Sequence, residues 1–279
     1  MMRLYDVDHG CIFEAGHGGY WDKYMLTKEG KPRKKLSYGI LKWITEQCGG
    51  IFYPSVSSIA SGVDGFGAFG IGSRWATGIT AEKAAELLTG WIKEDEFPEP
   101  VKMEGIIKAE STKRQQRARD KGSELHGVFH DVTTGKVKLD GLTDEKRAFY
   151  YTCCKALHND LDIKKGSYKT EVQKICSGIA GTCDVLANVP VIEWKTVEKF
   201  RTPHNSEIAQ VCMYAHINGK DVAFLVQVHQ TTMEYKIYGP YTDNVLSSNV
   251  HIMTRLLSVH QTLMQMKLAS VKTVTPAGL

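Results

Sequence analysis

The chain has no apolar run long enough to span a bilayer, no CxxC cysteine pair and only a small excess of positive charge. Each of these absences removes a class of protein. A helix that crosses a membrane needs about 20 consecutive apolar residues, and neither end of these 279 residues supplies them. The amino-terminal stretch Met1-Met2-Arg3-Leu4-Tyr5-Asp6-Val7-Asp8 lacks the apolar core of a secretion signal. It also lacks the Arg- and Ser-rich, acid-poor character of an organelle transit peptide. The expectation is a cytoplasmic protein with no membrane contact. Seven cysteines (Cys11, Cys48, Cys153, Cys154, Cys176, Cys183 and Cys212) are odd in number and scattered, which reads as buried or free thiols rather than a zinc site. The glycine-rich stretch 62–72 has no Gly-Lys-Ser/Thr ending and no apolar strand before it, so it is not an ATP-binding loop. A net charge of +4 permits nucleic-acid binding without requiring it.

An apolar fraction of 42% and a charged fraction of 24% suit a globular fold. Residues 1–50 alternate short apolar pieces with glycines, including the loop His17-Gly18-Gly19, and carry a basic group at Lys31, Arg33, Lys34 and Lys35. They read as strands and loops, followed by a helix near 38–47. Residues 51–160 read as a helical subdomain. Thr80 caps a helix over 81–91, an acidic linker follows at 94–100, a long helix runs over 104–130, and another begins after Thr143. From Ser167 the apolar period changes from helical to strand-like. Strands are expected over 169–177, 182–187 and 191–194, then a helix over 203–217, strands over 221–230 and 233–238, and a final amphipathic helix over 244–266. Residues 161–270 form an α/β core on this reading, 271–279 a tail, and the whole one compact unit.

Chemistry concentrates in that core. Asp184 ends an apolar strand piece, and Glu193-Trp194-Lys195-Thr196 ends the next. Side chains alternate along a strand, so Glu193 and Lys195 share a face and Trp194 takes the other. If the two strands pair, Asp184 joins Glu193. Two carboxylates held together in apolar surroundings need a cation between them. Gln210 and Tyr214 stand at i and i+4 on the following helix, hence on one face. Upstream, Lys113, Arg114, Arg117, Arg119 and Lys121 make a basic stripe suited to phosphates. It runs up to Gly122-Ser123-Glu124-Leu125-His126, with His130 one turn further on.

In this order the residues resemble the RecB-like exonuclease branch of the PD-(D/E)XK nuclease superfamily. The branch pattern G-x-x-D, (D/E)-x-K-T and Q-x-x-x-Y is matched by Gly181…Asp184, Glu193-Trp194-Lys195-Thr196 and Gln210…Tyr214. A G-x-x-x-H helix is matched at Gly122…His126. The Pro-Ser-Val-Thr-like helix start of phage and mitochondrial genome-maintenance relatives is matched at Tyr53-Pro54-Ser55-Val56-Ser57-Ser58. The resemblance implies a restriction-endonuclease-like core, a central mixed sheet flanked by helices, preceded by a mainly helical subdomain. It implies Mg²⁺ or Mn²⁺ held by Asp184, Glu193 and the backbone carbonyl of Trp194, with His126 ligating metal or phosphate, a role for which His130 competes. Lys195 then either positions the attacking water or stabilises the transition state. Gln210 and Tyr214 orient the site and touch DNA. Ser55, Lys113, Arg117, Arg119 and Lys121 contact DNA, and Glu171 supplies a further acidic position. Some relatives carry an iron–sulfur cluster built from closely spaced cysteines near the carboxyl terminus. None follows Cys212 here, so no cluster is expected.

The function implied is metal-dependent exonucleolytic cleavage of DNA with free ends, in replication, recombination or degradation. A phage-encoded enzyme would work in the host cytoplasm beside replication or recombination proteins. The alternatives are a structure-selective endonuclease on the same core and a non-catalytic nucleic-acid-binding relative.

Overall fold

The computed structural model describes residues 2–5, 11–14, 19–21, 38–47, 51–64 and 100–273. The loop at 17–18, the basic group at 31–35, most of the stretch 62–72, the helix expected at 81–91, the linker before residue 100 and the end of the tail lie outside those residues. In chain order the elements are β1 (Met2–Tyr5), β2 (Cys11–Glu14), β3 (Gly19–Trp21), α1 (Tyr38–Gln47), β4 (Phe52–Pro54), α2 (Val56–Ala60), α3 (Pro100–Thr133) and α4 (Asp144–Lys155). There follow β5 (Tyr168–Cys176), β6 (Ile179–Ala187), β7 (Pro190–Val197), α5 (Asn205–Ile217), β8 (Val222–His229), β9 (Tyr235–Tyr241) and α6 (Asp243–Ala269). Among the described residues no helix is long and apolar enough to cross a membrane.

The chain groups into two compact units, Met1–Val63 with Cys154–Leu279, and Asp64–Cys153. The first unit is α/β. Its main sheet has the order β5-β6-β7-β8-β9, antiparallel throughout except for β7–β8, which is parallel. A parallel neighbour cannot be reached by a tight turn, and α5 is the crossover that returns the chain. By contrast, β5 and β6 close through Ser177 (φ 53°) and Gly178 (φ 78°). Left-handed backbone at both turn residues matches the twist of a two-residue hairpin. A second sheet, β1-β2-β3-β4, is antiparallel.

The core of this unit lies where α2 and α5 pack on the main sheet and α6 packs on α2 and α5: Ile59, Ile179, Val191, Met213, Ala223 and Met253 are all buried. β6 is buried along nearly its whole length and β7 along most of its own. A polar side chain on either strand therefore enters an apolar interior, which is what gives Asp184 and Glu193 their significance.

In the second unit, α3 runs longer than expected at both ends. The backbone carbonyl of Thr143 accepts from Arg147 N at 3.0 Å where α4 begins. Asp144 and Glu145 occupy the first turn, at the positive end of the helix dipole. Leu125, Phe129 and Phe149 are buried, and the His126 ring stacks on Phe149.

Candidate active site

The β6–β7 ladder pairs Leu186 with Val191 and Val185 with Ile192, and the next step of that register sets Asp184 across from Glu193. The ladder stops before it. Instead Trp194 N donates to Asp184 Oδ2 at 2.7 Å, so a side-chain oxygen takes the place of a strand carbonyl. Asp184 is 8% exposed and Glu193 5%. Trp194, one position from Glu193 and hence on the other face, is 1% exposed and anchors β7.

Lys195 and α5 complete the arrangement. Lys195 Nζ donates to Glu193 Oε1 at 2.9 Å and to Gln210 Oε1 at 3.0 Å. Gln210 Nε2 donates to the same Glu193 oxygen at 3.1 Å and to Tyr214 Oη at 3.1 Å. Gln210 thus accepts from the cation and donates to its counter-charge, using both ends of its amide. Burial works against charge on Lys195, yet the neighbouring Glu193 and Asp184 carboxylates outweigh it and hold the ammonium above its ordinary pKa. Burial, then the same two carboxylates, push the Cys183 thiol up, so it stays protonated and inert.

Gly181 explains how α5 comes so close. A Cβ built there would lie 2.5 Å from Tyr214 Cε1 and 2.9 Å from Val56 Cγ2. The missing side chain is the space the tyrosine ring occupies. That contact fixes Tyr214, which is 4% exposed, and through its hydroxyl the amide of Gln210.

A supporting network escaped the sequence reading. Arg201 makes two bonds to Glu207, 2.7 Å from Nη1 to Oε2 and 2.8 Å from Nη2 to Oε1. Glu207 also accepts from His204 N at 2.9 Å, capping the first turn of α5 one turn before Gln210. Burial alone would raise the pKa of Glu207, but the bonds from Arg201 and His204 outweigh it and hold the carboxyl below its ordinary value. Gln227, fully buried on β8 beside Lys195 in register, accepts from Arg201 N at 3.2 Å. The available signal was Arg201 six residues before Glu207 at a helix start.

The other candidates are placed as follows. Glu171 stands across β5 from Asp184 in register, but the ladder skips it and its backbone is left-handed (φ 52°). A glutamate rarely adopts that conformation without a reason. Ser55 is 2% exposed and is the N-cap of α2, accepting from Ser58 N at 3.1 Å. His126 and the basic stripe belong to the second unit. There Lys113 and Arg117 are exposed, Lys121 pairs with Glu145 at 2.7 Å, and Lys146 pairs with Glu124 at 2.6 Å. The side chain of Arg119 lies outside the described residues. His130 Nε2 is 2.9 Å from Lys136 Nζ. A cleft of about 390 Å³ is lined by Arg117, Lys121 and Lys146 together with Asp120, Glu124 and Glu145. Its charges balance.

The donor set fits a hard divalent cation. Asp184 and Glu193 contribute two negative charges against one from Lys195, leaving these three residues one short of neutrality in an apolar interior. Among the described residues no group of three or more His, Cys, Asp or Glu side chains converges. Two carboxylates are nevertheless what Mg²⁺ commonly uses, since it keeps several waters and takes its other ligands from substrate phosphates.

No family profile matches the sequence, and no curated protein matches it. Among solved structures, an alkaline exonuclease (LHK-Exo) from Laribacter hongkongensis is 13% identical, with a TM-score of 0.32, over 37% of this chain and 59% of the exonuclease. The crystal structure of SSO0001 is 18% identical, with a TM-score of 0.29, over 46% of this chain and 67% of that one. The chain therefore spans less than two thirds of the length of the exonuclease. Likenesses of this size leave the activity to be argued from the site.

Proposed function

We propose that the chain is a metal-dependent DNA exonuclease of the RecB-like PD-(D/E)XK type, acting in the cytoplasm on DNA with free ends. The observation that carries this reading is the junction of Asp184, Glu193, Lys195 and Gln210 on β6, β7 and α5. It combines two buried carboxylates, a cation held beside them and an amide that orders both. Asp184, Glu193 and the carbonyl of Trp194 would hold Mg²⁺ or Mn²⁺. When bound, the ion supplies Lewis-acid polarisation of a phosphoryl oxygen and lowers the pKa of water.

The chain's own residues do the rest. Lys195 stays protonated, because the carboxylates hold its pKa above the ordinary value of 10.5. It therefore acts near neutrality as a donor and a fixed positive charge, not as a general base. Its two present partners orient the ammonium before substrate arrives, and a charge fixed in this way costs little reorganisation as charge grows on the phosphate. Gln210 keeps Glu193 and Lys195 aligned with one another. Tyr214, wedged over Gly181, sets the position of Gln210.

The test uses end-labelled linear duplex, single-stranded and covalently closed circular DNA, with and without EDTA. Expected are progressive shortening of linear DNA with Mg²⁺ or Mn²⁺, no hydrolysis in chelator, and resistant circles. Full activity in EDTA would sink the two-carboxylate reading. Rapid linearisation of closed circles would instead favour an endonuclease on the same site.

A further inference from the structure

The connection between β7 and α5 crosses the face of the main sheet that carries Lys195, and polar groups of the sheet tie it down. Lys195 on β7, Gln227 on β8 and Lys236 on β9 stand in one row of the register, so their side chains share that face. Gln227 is fully buried and accepts from Arg201 N at 3.2 Å. Tyr238 Oη, from β9, donates to Arg201 O at 2.9 Å. Both backbone groups of Arg201 are thus bound to the sheet, and its guanidinium is bound to Glu207. The residue one peptide unit before it is held in place as a result. That residue is Phe200, a half-buried ring that follows the exposed Glu198 and Lys199.

Two polar side chains flank the ring. Lys236 Nζ lies 5.0 Å from the Phe200 centroid, and the His229 ring lies 5.9 Å away, tilted by 54°. The backbone N–H groups of Thr231 and Thr232 both donate to His229 Nδ1, at 3.3 Å and 3.1 Å. The ring hydrogen therefore sits on Nε2, which makes that atom a donor. Glu198 and Glu234 offset Lys199 and Lys236 in charge, and the Glu234 carboxylate accepts from the Thr232 hydroxyl at 3.2 Å. The patch is therefore no general basic surface. It combines an aromatic face, an ammonium and an imidazole donor, which suits one nucleotide: a base for the ring and a phosphate for the two donors.

We infer that Phe200, His229 and Lys236 form a nucleotide subsite beside the junction of Asp184, Glu193 and Lys195. Phe200 takes one unpaired base of a DNA strand, and Lys236 and His229 take the adjoining phosphate. The inference rests on the nuclease reading for the strand that is presented, and it adds where that strand is gripped. Neighbouring strands lie about 4.8 Å apart, so the backbone of Lys236 is roughly 10 Å from that of Lys195. A strand with a phosphate at Lys195 therefore passes within reach of the ring. The base must be unpaired, because inside a duplex its faces are covered by its neighbours. The present contact of Lys236 with the ring is no obstacle, since an exposed cation–π pair is weak and the ammonium can exchange the ring for a phosphate oxygen. The plain alternative is a surface tether in which Lys236 simply covers Phe200. A tether predicts no dependence on bases.

Fluorescence-anisotropy titrations of the full chain in EDTA test the inference with three probes: a short oligothymidylate, the same oligomer without its bases, and a blunt duplex of equal length. Wild type should bind the oligothymidylate and lose affinity when the bases are removed. Phe200→Leu keeps the apolar bulk and should bind the oligothymidylate about tenfold more weakly, the scale of one base stacked on an aromatic ring. The base-free oligomer and the duplex should each bind wild type and Phe200→Leu alike. Phe200→Trp, which keeps a ring, should bind at least as tightly as wild type. Lys236→Gln should lower the log–log salt slope by roughly 0.7, one phosphate contact on a single strand. A wild type that does not bind overturns the proposal, as does a Phe200→Leu loss that is absent or equal on all three probes. An unchanged salt slope in Lys236→Gln overturns the phosphate contact. Hydrolysis in Mg²⁺ is scored separately. A base-dependent loss without hydrolysis upholds the subsite and sinks the nuclease reading, and hydrolysis without that loss does the reverse.

Discussion

The polar residues of the β6–β7–α5 junction and those of the α3–α4 pair follow opposite rules. In the first, Asp184 and Glu193 are buried and bonds run from backbone to carboxylate, carboxylate to ammonium and ammonium to amide. In the second, Arg117 and Lys113 face solvent and Lys121 meets Glu145 at a half-exposed surface. A buried charge must be repaid by specific partners, so its surroundings are constrained and its substitution is felt. An exposed ion pair contributes about 0–1 kcal/mol and is replaceable. The same formal charge therefore carries information about chemistry in one region and little in the other.

The sharpest way to break this contrast is Lys195→Ala. Loss of a preorganised electrostatic donor should lower turnover at least about 10²-fold, with DNA binding largely kept. Single-turnover cleavage and a binding titration measure the two separately. Near wild-type cleavage would mean that the junction is a structural ion pair, no different in kind from Lys121–Glu145.

Gly181→Ala comes next. The added methyl meets Tyr214 at 2.5 Å and Val56 at 2.9 Å, and overpacking of this kind costs about 1–3 kcal/mol. Thermal melting should show the loss. Activity should fall further than stability predicts, because displacing Tyr214 disturbs Gln210. Unchanged melting would mean that the ring gives way freely and does not position the site.

Glu207→Gln tests the support beneath α5. The carboxyl of Glu207 is held below its ordinary 4.5, so its contribution is fully present above that value and is lost as pH falls through the lower folded value. The variant should lose about 1 kcal/mol at neutral pH, discounted because Arg201 is partly exposed. It should also show a shallower decline of stability in acid than wild type. Parallel stability curves for the two proteins would contradict the assignment.

The smallest effects belong to the second unit. Lys113→Ala and Arg117→Ala should each reduce the log–log salt slope of DNA binding by roughly 0.7–0.9 if they meet phosphates. Lys121→Ala should reduce it less, because Glu145 already holds that ammonium. Equal effects from all three would show that the ion pair opens at no cost.

The contrast also explains what was legible in the sequence. The change of period at Ser167, the Glu-x-Lys spacing and the i, i+4 pair Gln210 and Tyr214 are local patterns, and β5–β9 and α5 lie close to where those patterns put them. The Arg201–Glu207–Gln227 network was not legible, since it depends on β8 joining β7 in parallel 32 residues downstream, bringing Gln227 beside Lys195. The left-handed Glu171 was equally hidden, because nothing in a strand-like run marks which residue the ladder will skip. On α6, amphipathicity was readable, and Met253, Leu257 and Met264 are the residues it buries.

The bond from Trp194 N to Asp184 Oδ2 has a consequence for ion choice. The amide holds the Asp184 carboxylate in one orientation, so a cation bound there would meet a ligand that is already placed. Calcium fills six to eight positions and often draws on bidentate carboxylates, whereas magnesium accepts six ligands in a strict octahedron. Under the proposed metal role, a carboxylate placed in advance would favour the ion with the stricter geometry, a preference set by a main-chain amide rather than by the width of a cavity.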